Sequence, residues 1–206
     1  MNDSNQRVPA PRRFSRYYLL GLLSVFTGIW FSKLEYRKLV RPDEGRYAEI
    51  AREMALSGDW VTPRLNALKY FEKPPLQYWA TAAAFRWFGE HHWTARWWPA
   101  TTAFACVLLM FWASRRWYGD EEIALSAAAA LGGCSGFIIN AHMNTLDAGL
   151  AAFLTVALLG FLLAQRPGAT PAENRNWMLV VWAALALAVL SKGLIGLVLP
   201  GAVLTL

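Results

Sequence analysis

Two charged runs, Arg41-Pro42-Asp43-Glu44-Gly45-Arg46-Tyr47 and Phe71-Glu72-Lys73-Pro74-Pro75, set acids beside bases in a polar stretch bounded by strongly apolar ones. A carboxylate can take or orient a proton, and arginine or lysine can hold a phosphate. The pattern therefore suits a phosphate-bearing lipid with a carboxylate near its reacting atom. Asp147 and Lys192 stand at the edges of later apolar runs, where an ionisable group is costly unless it is paired or used. Each of these residues also has a plainer role. Asp43 and Glu44 suit the first turn of a helix, where the macrodipole favours negative charge. Glu72 and Lys73 suit an exposed ion pair worth ~0–1 kcal/mol. Asp147 suits the start of a helix with Asn144 and Thr145 as rival caps, and Lys192 suits a side chain that snorkels to the surface. His91, His92 and His142 lack metal-ligand spacing and read as interface residues.

The elements that must position these groups are membrane helices. The 206-residue chain is 56% hydrophobic and has eleven tryptophans. Its runs 17–31, 95–113, 123–139, 148–164, 177–190 and 194–206 contain almost no charge. They predict an all-α, polytopic membrane protein with about six spans, some of which must borrow flanking residues to reach the ~20 needed to cross a bilayer. Arg7, Arg12, Arg13 and Arg16 precede the first run like a signal-peptide n-region, but no small-residue cleavage site follows and further spans do, so the run reads as a retained span. Residues 1–16 are then a cytoplasmic arm and 17–206 the transmembrane domain. Cys106 and Cys134 fall inside expected spans and imply no disulfide framework. The net charge of +6 sits beside spans, where topology and anionic bilayer lipid account for it without nucleic acid.

Orientation turns on residues 74–88. If this segment does not span, the N-terminal arginines, Arg115-Arg116 and Arg166 with Arg175 share one side, as the positive-inside rule favours. It is therefore expected to be an interfacial helix, with Leu76, Trp79, Ala83 and Trp87 along one face and Gln77, Thr81 and Arg86 elsewhere. Residues 32–94 become one long outer loop. Within it a helix is expected from Pro42 to Ser57, stopping at Gly58, with Tyr47, Ile50 and Met54 as an apolar stripe that lies on the membrane. Trp93, Trp97 and Trp98 at one end of the next span, and Trp112, Trp117 and Tyr118 at the other, read as aromatic belts.

The run from Arg41-Pro-Asp-Glu-Gly-Arg-Tyr through Ser57-Gly-Asp-Trp-Val, followed by Tyr70-Phe-Glu-Lys-Pro-Pro-Leu-Gln-Tyr-Trp79, resembles the first periplasmic loop of the bacterial 4-amino-4-deoxy-L-arabinose lipid A transferases. These are relatives of the protein O-mannosyltransferases in the GT-C class. The resemblance covers residues 17–200 and is strongest over 41–79. It implies a glycosyltransferase of the bacterial inner membrane that moves a sugar from a polyprenyl-phosphate donor to a lipid A-like acceptor on the periplasmic face. By position it implies catalytic roles for Asp43 and Asp147, and substrate binding by Glu44, Arg46, Tyr47, Lys73 and Lys192. Glu72 becomes a candidate ligand for a divalent metal ion, without a complete ligand set. Such enzymes have more spans and a soluble periplasmic domain after them, so this chain is expected to be a fragment or a truncated gene product. The rival expectations are a non-catalytic polyprenyl-phosphate-binding or assembly partner, and a transporter. Spans nearly clean of polar groups disfavour the transporter.

Overall fold

The computed structural model describes residues 13–205, so Arg7, Arg12 and most of the expected N-terminal arm lie outside the described residues. The chain begins with α1 (Arg16–Phe31), then α2 (Asp43–Ser57), a hairpin of β1 (Arg64–Leu65) and β2 (Leu68–Lys69), and α3 (Leu76–Phe88). It continues with α4 (His92–Tyr118), α5 (Glu121–Gly132), α6 (Ser135–Ala141), α7 (Asp147–Ala164), α8 (Pro171–Lys192) and α9 (Ile195–Thr205). The expected all-α membrane architecture is present, with only this two-stranded ribbon as sheet. Among the described residues α4, α7 and α8 are long and apolar enough to cross a membrane, and α5 with α6 makes a fourth if counted as one span bent by 65°. The expected run 123–139 is broken because Gly132-Gly133 interrupts it, and glycine gives up the most backbone freedom in a helix. The first and last expected spans form helices of 16 and 11 residues, short of a bilayer's ~20.

The α7–α8 pair is held by large aliphatic side chains set among alanines. Leu150, Leu154 and Ala157 of α7 pack on Val181, Ala184, Leu185 and Ala188 of α8. Close approach through small side chains is what packs helices in lipid, where burying apolar surface has no advantage over leaving it in acyl chains. Gly149 shows the limit at the loop end of this pair: a Cβ there would meet Trp98 Nε1 at 3.1 Å and Ser191 Oγ at 3.2 Å.

The long loop folds against that end of the bundle. α2 runs from Asp43 and stops at Gly58 with φ of 72°, as its sequence predicts. Its stripe of Tyr47, Ile50 and Met54 does not lie on a membrane, however: it is buried against Tyr78, Ala82 and Phe85 of α3. The moment of a surface helix gives the direction of an apolar face but not what covers it. On α3 the expected apolar face is half-buried at Leu76, Trp79 and Ala83 and turns outward at Trp87. Trp87 is 75% exposed, while Gln77 and Thr81 are each 1% exposed and point into the protein. The hairpin tip, Asn66-Ala67, takes positive φ at both residues, and its two N–H groups donate to the Glu53 carboxylate of α2 at 2.5 and 3.1 Å.

Candidate functional site

The first turn of α2 and the segment before α3 bring most of the expected site residues into contact. Asp43 Oδ1 pairs with Arg46 Nη2 at 2.6 Å, one helical turn on. Arg46 Nη1 lies 4.0 Å from Glu72 Oε2, and its guanidinium covers the rings of Tyr47 at 5.2 Å and Tyr70 at 5.9 Å. Lys73 Nζ lies 3.3 Å from Glu72 Oε1, and the Tyr70 hydroxyl donates to Glu72 Oε2. Asp43, Arg46, Tyr47, Glu72 and Lys73 thus form one continuous patch. Tyr70 belongs to it as well, a residue to which the sequence alone assigns no role. The phenol and the lysine hold Glu72 below its ordinary carboxyl range, while burial and then Glu72 push Tyr70 up to about 12. The carboxylate is therefore charged and the phenol neutral across the neutral range. The Arg46 Nε and the Tyr78 hydroxyl, both buried, have no hydrogen-bond partner, which leaves donor capacity in and beside a partly exposed patch.

Glu44, expected to bind substrate, does not belong to that exposed patch: the residue is 0% exposed and its oxygens are occupied. Oε1 accepts from Arg96 Nε at 2.8 Å and from the Asn144 N–H at 2.8 Å. Oε2 accepts from the Val40 N–H at 2.8 Å and Arg96 Nη2 at 3.1 Å. Burial alone would raise this carboxyl, but Arg96 and the two N–H groups more than offset it and the net shift is downward. Arg96, 1% exposed, also donates to the carbonyls of Leu34, Arg37 and Lys38 at 2.8, 2.6 and 3.0 Å. Sequence reasoning placed Arg96 inside an apolar run and gave it no role. An arginine one turn into a span was the signal, because such a charge must find a partner.

Asp147 and Lys192, the remaining pair, meet as an ion pair across the ends of α7 and α8. Leu146, not Asn144 or Thr145, is the residue that precedes the first turn of α7. Asn144 instead accepts from Gln77 Nε2 at 2.8 Å and donates its N–H to Glu44. The two acidic centres are therefore tied through neighbours in the chain: Glu44 follows Asp43, and Asn144 stands three residues before Asp147. Among the described residues no hydrogen bond or ion pair joins Asp43 directly to Asp147. Glu72 is not part of a metal site formed by the described residues, which contain no group of three or more His, Cys, Asp or Glu able to hold one. Its oxygens serve Tyr70, Lys73 and Arg46 instead. Among the histidines, His142 Nε2 lies 2.8 Å from the Trp30 carbonyl, and His91 contributes to the cap of α4.

These observations define a multi-pass helical membrane protein with an ionic site at one end of its helices, built from a folded loop. Residues 15–206 match the profile of the dolichyl-phosphate-mannose-protein mannosyltransferase family, and the chain belongs to that family. The undecaprenyl phosphate-alpha-4-amino-4-deoxy-L-arabinose arabinosyl transferase 2 of Sodalis glossinidius is 32% identical over 187 residues, covering 88% of this chain and 33% of that protein. The corresponding transferase 1 of Proteus mirabilis is 36% identical over 180 residues, covering 84% and 32%. The crystal structure of ArnT from Cupriavidus metallidurans in the apo state superposes with a TM-score of 0.86 at 44% identity, over 91% of this chain and 36% of that one. The structure of the same protein bound to undecaprenyl phosphate gives 0.85 at 42% identity, over 93% and 35%. The chain spans about a third of the length of these curated relatives.

Proposed function

We propose that this chain forms the donor-phosphate end of a membrane glycosyltransferase that takes a sugar, 4-amino-4-deoxy-L-arabinose by analogy, from a polyprenyl-phosphate carrier and passes it to a lipid A-type acceptor on the periplasmic face. The observation that carries the reading is the continuous Asp43–Arg46–Glu72–Lys73 patch. Arg46 lies between the carboxylates of Asp43 and Glu72 and Lys73 lies beside Glu72, so two cations able to hold a phosphate adjoin carboxylates able to act on an acceptor. The names of the relatives, arabinosyl transferases acting with undecaprenyl phosphate, and the undecaprenyl phosphate-bound structure support the same chemistry.

In the reaction a bond forms between an acceptor oxygen and the anomeric carbon as the bond from that carbon to the carrier phosphate breaks, and the electron pair leaves with the phosphate. The leaving group already carries charge, so it needs stabilisation more than protonation. Arg46 and Lys73 supply this at ~3 Å in a site of reduced dielectric. Asp43 takes the proton of a hydroxyl acceptor, or orients an acceptor phosphate that is already ionised. Asp147, paired with Lys192, is the second acid at this face. The test is sugar transfer from a labelled polyprenyl-phosphate donor by the protein in its native membrane, compared with Asp43→Asn. Transfer should fall by ~10²-fold or more while donor binding survives. Donor binding without any wild-type transfer would replace the reading with that of a binding partner, and unchanged transfer in Asp43→Asn would remove this residue from the chemistry.

A further inference from the structure

An apolar cavity lies away from the ionic patch. α1, α4 and α5 enclose an apolar groove of about 660 Å³, with walls that include Leu20 and Leu23 of α1 and Leu108 and Phe111 of α4, and a floor of small α5 residues such as Ser126 and Ala129. The volume falls in the ~300–1,000 Å³ typical of sites for small amphiphilic molecules. At its inner end the floor narrows, since a Cβ on Gly132 would meet Phe26 Cζ at 3.3 Å and Val107 Cγ1 at 3.4 Å.

The lining ends at Tyr18 and Phe111, and the residues that flank it there, Arg13, Arg16 and Arg115, are basic. There the start of α1, the end of α4 and the start of α5 converge on Glu121, which is 3% exposed. It accepts from the Phe14 N–H at 2.5 Å and pairs with Arg115 at 2.7 Å. Arg16 continues the helical stripe of Leu20 and Leu23, and Arg115 continues that of Leu108 and Phe111, because residues three, four and seven apart share a face. The acids nearby are engaged: Asp120 accepts from the N–H groups of Glu122 and Ile123, Glu121 is bound as described, and Glu122 has a partner of its own. Arg13 is exposed, and the contacts of Arg16 are to Tyr17 alone, a hydrogen bond and a ring contact. Among the described residues neither arginine has an acidic partner.

We infer that this groove holds an anionic glycerophospholipid, its acyl chain between α1, α4 and α5 and its phosphate on Arg16 and Arg115. Guanidinium groups match phosphate geometry in two directions and are weakly hydrated. Basic pockets between membrane helices are a recurrent seat for anionic headgroups. The site is separate from the donor patch. Arg96, at the patch end of α4, and Arg115 are 19 residues apart, which at ~1.5 Å per residue is about 28 Å, the thickness of a bilayer's hydrocarbon core. A lipid whose phosphate lies on Arg16 thus belongs to the opposite leaflet from one whose phosphate lies on Lys73.

The experiment is native mass spectrometry of the delipidated protein in mild detergent, titrated with phosphatidylglycerol, phosphatidylcholine or undecaprenyl phosphate. Phosphatidylglycerol should bind ~10-fold more tightly than phosphatidylcholine, whose choline ammonium offsets its phosphate charge, and Arg16→Gln should remove that preference by weakening phosphatidylglycerol more than phosphatidylcholine. Ser126→Trp should fill the groove and weaken both; Ala129→Leu, a smaller intrusion, serves the same purpose if the tryptophan variant does not fold. Equal affinity for the two phospholipids in the wild type would overturn the inference, as would anionic binding that neither the arginine nor the filling variants reduce. Competitive displacement of phosphatidylglycerol by undecaprenyl phosphate, weakened equally by Arg16→Gln, would assign the groove to the carrier lipid and overturn it as well. None of these measurements depends on transferase activity.

Discussion

Replacing Arg96 with Met tests the tether between the two acidic centres. The side chain is 1% exposed and makes five hydrogen bonds, two to Glu44 and three to the carbonyls of Leu34, Arg37 and Lys38. Removing one partner of a buried ion pair costs ~3–5 kcal/mol, because the other charge is left behind in a medium that solvates it poorly. Here the lower end of that range applies. Arg37 Nη1, on a side chain 43% exposed, remains 3.2 Å from Glu44 Oε2, and the N–H groups of Val40 and Asn144 still donate to the carboxylate. A loss of ~3 kcal/mol in a chain of this size lowers the melting temperature by ~6–12 °C. The double change Arg96→Met with Glu44→Leu should not restore the loss, since it strands those two N–H groups without an acceptor. Tryptophan fluorescence during heating in lipid nanodiscs measures the shift, and hydrogen exchange locates it. Residues 34–47 and 142–147 should exchange faster while 150–188 stay protected. A melting temperature within ~2 °C of wild type, or exchange that rises equally in α7 and α8, would refute the tether.

Three other outcomes are expected. Lys73→Ala should weaken polyprenyl-phosphate binding by ~1.5–3 kcal/mol, the range for hydrogen bonds to charged groups; Glu72→Gln added to it should recover part of the loss by removing a carboxylate left without its lysine, and titration of both variants against wild type decides. Glu44 has its carboxyl held below the ordinary 4.5 in the folded protein, so its stabilising contribution is present above that value and disappears as pH falls through the folded one; acid unfolding curves of Glu44→Gln should lack this component, and identical pH slopes would count against it. Cysteines at Ser57 and Asn66 should label from outside intact cells and one at Thr170 should not; labelling of Thr170 from outside would reverse the orientation argued from the arginines.

Sequence by itself determined the solvent, the helical class and the residues of the ionic patch, because these follow from local composition and spacing. Apolar runs must be helices in lipid, since their backbone groups have no water to bond. Asp43 and Arg46 are one helical turn apart, and Glu72 adjoins Lys73, so each pair was legible in the chain. Asp147 and Lys192 were legible as costly charges at span edges, though not as partners, because 45 residues separate them. Only the tertiary structure decided which charges are inside. Glu44 and Asp43 are neighbours with the same chemistry, yet one is sealed against Arg96 and the other faces outward, since successive helical residues point about 100° apart and only the packing of α2 on α3 and α4 selects the buried direction. For the same reason the Tyr47, Ile50 and Met54 stripe was readable as apolar but not as facing α3 rather than lipid. Arg96 and Asn144 acquire their roles from partners 52 and 100 residues away, and contacts that long in sequence come from the fold, where several weak local preferences are settled together by what each burial leaves unpaired.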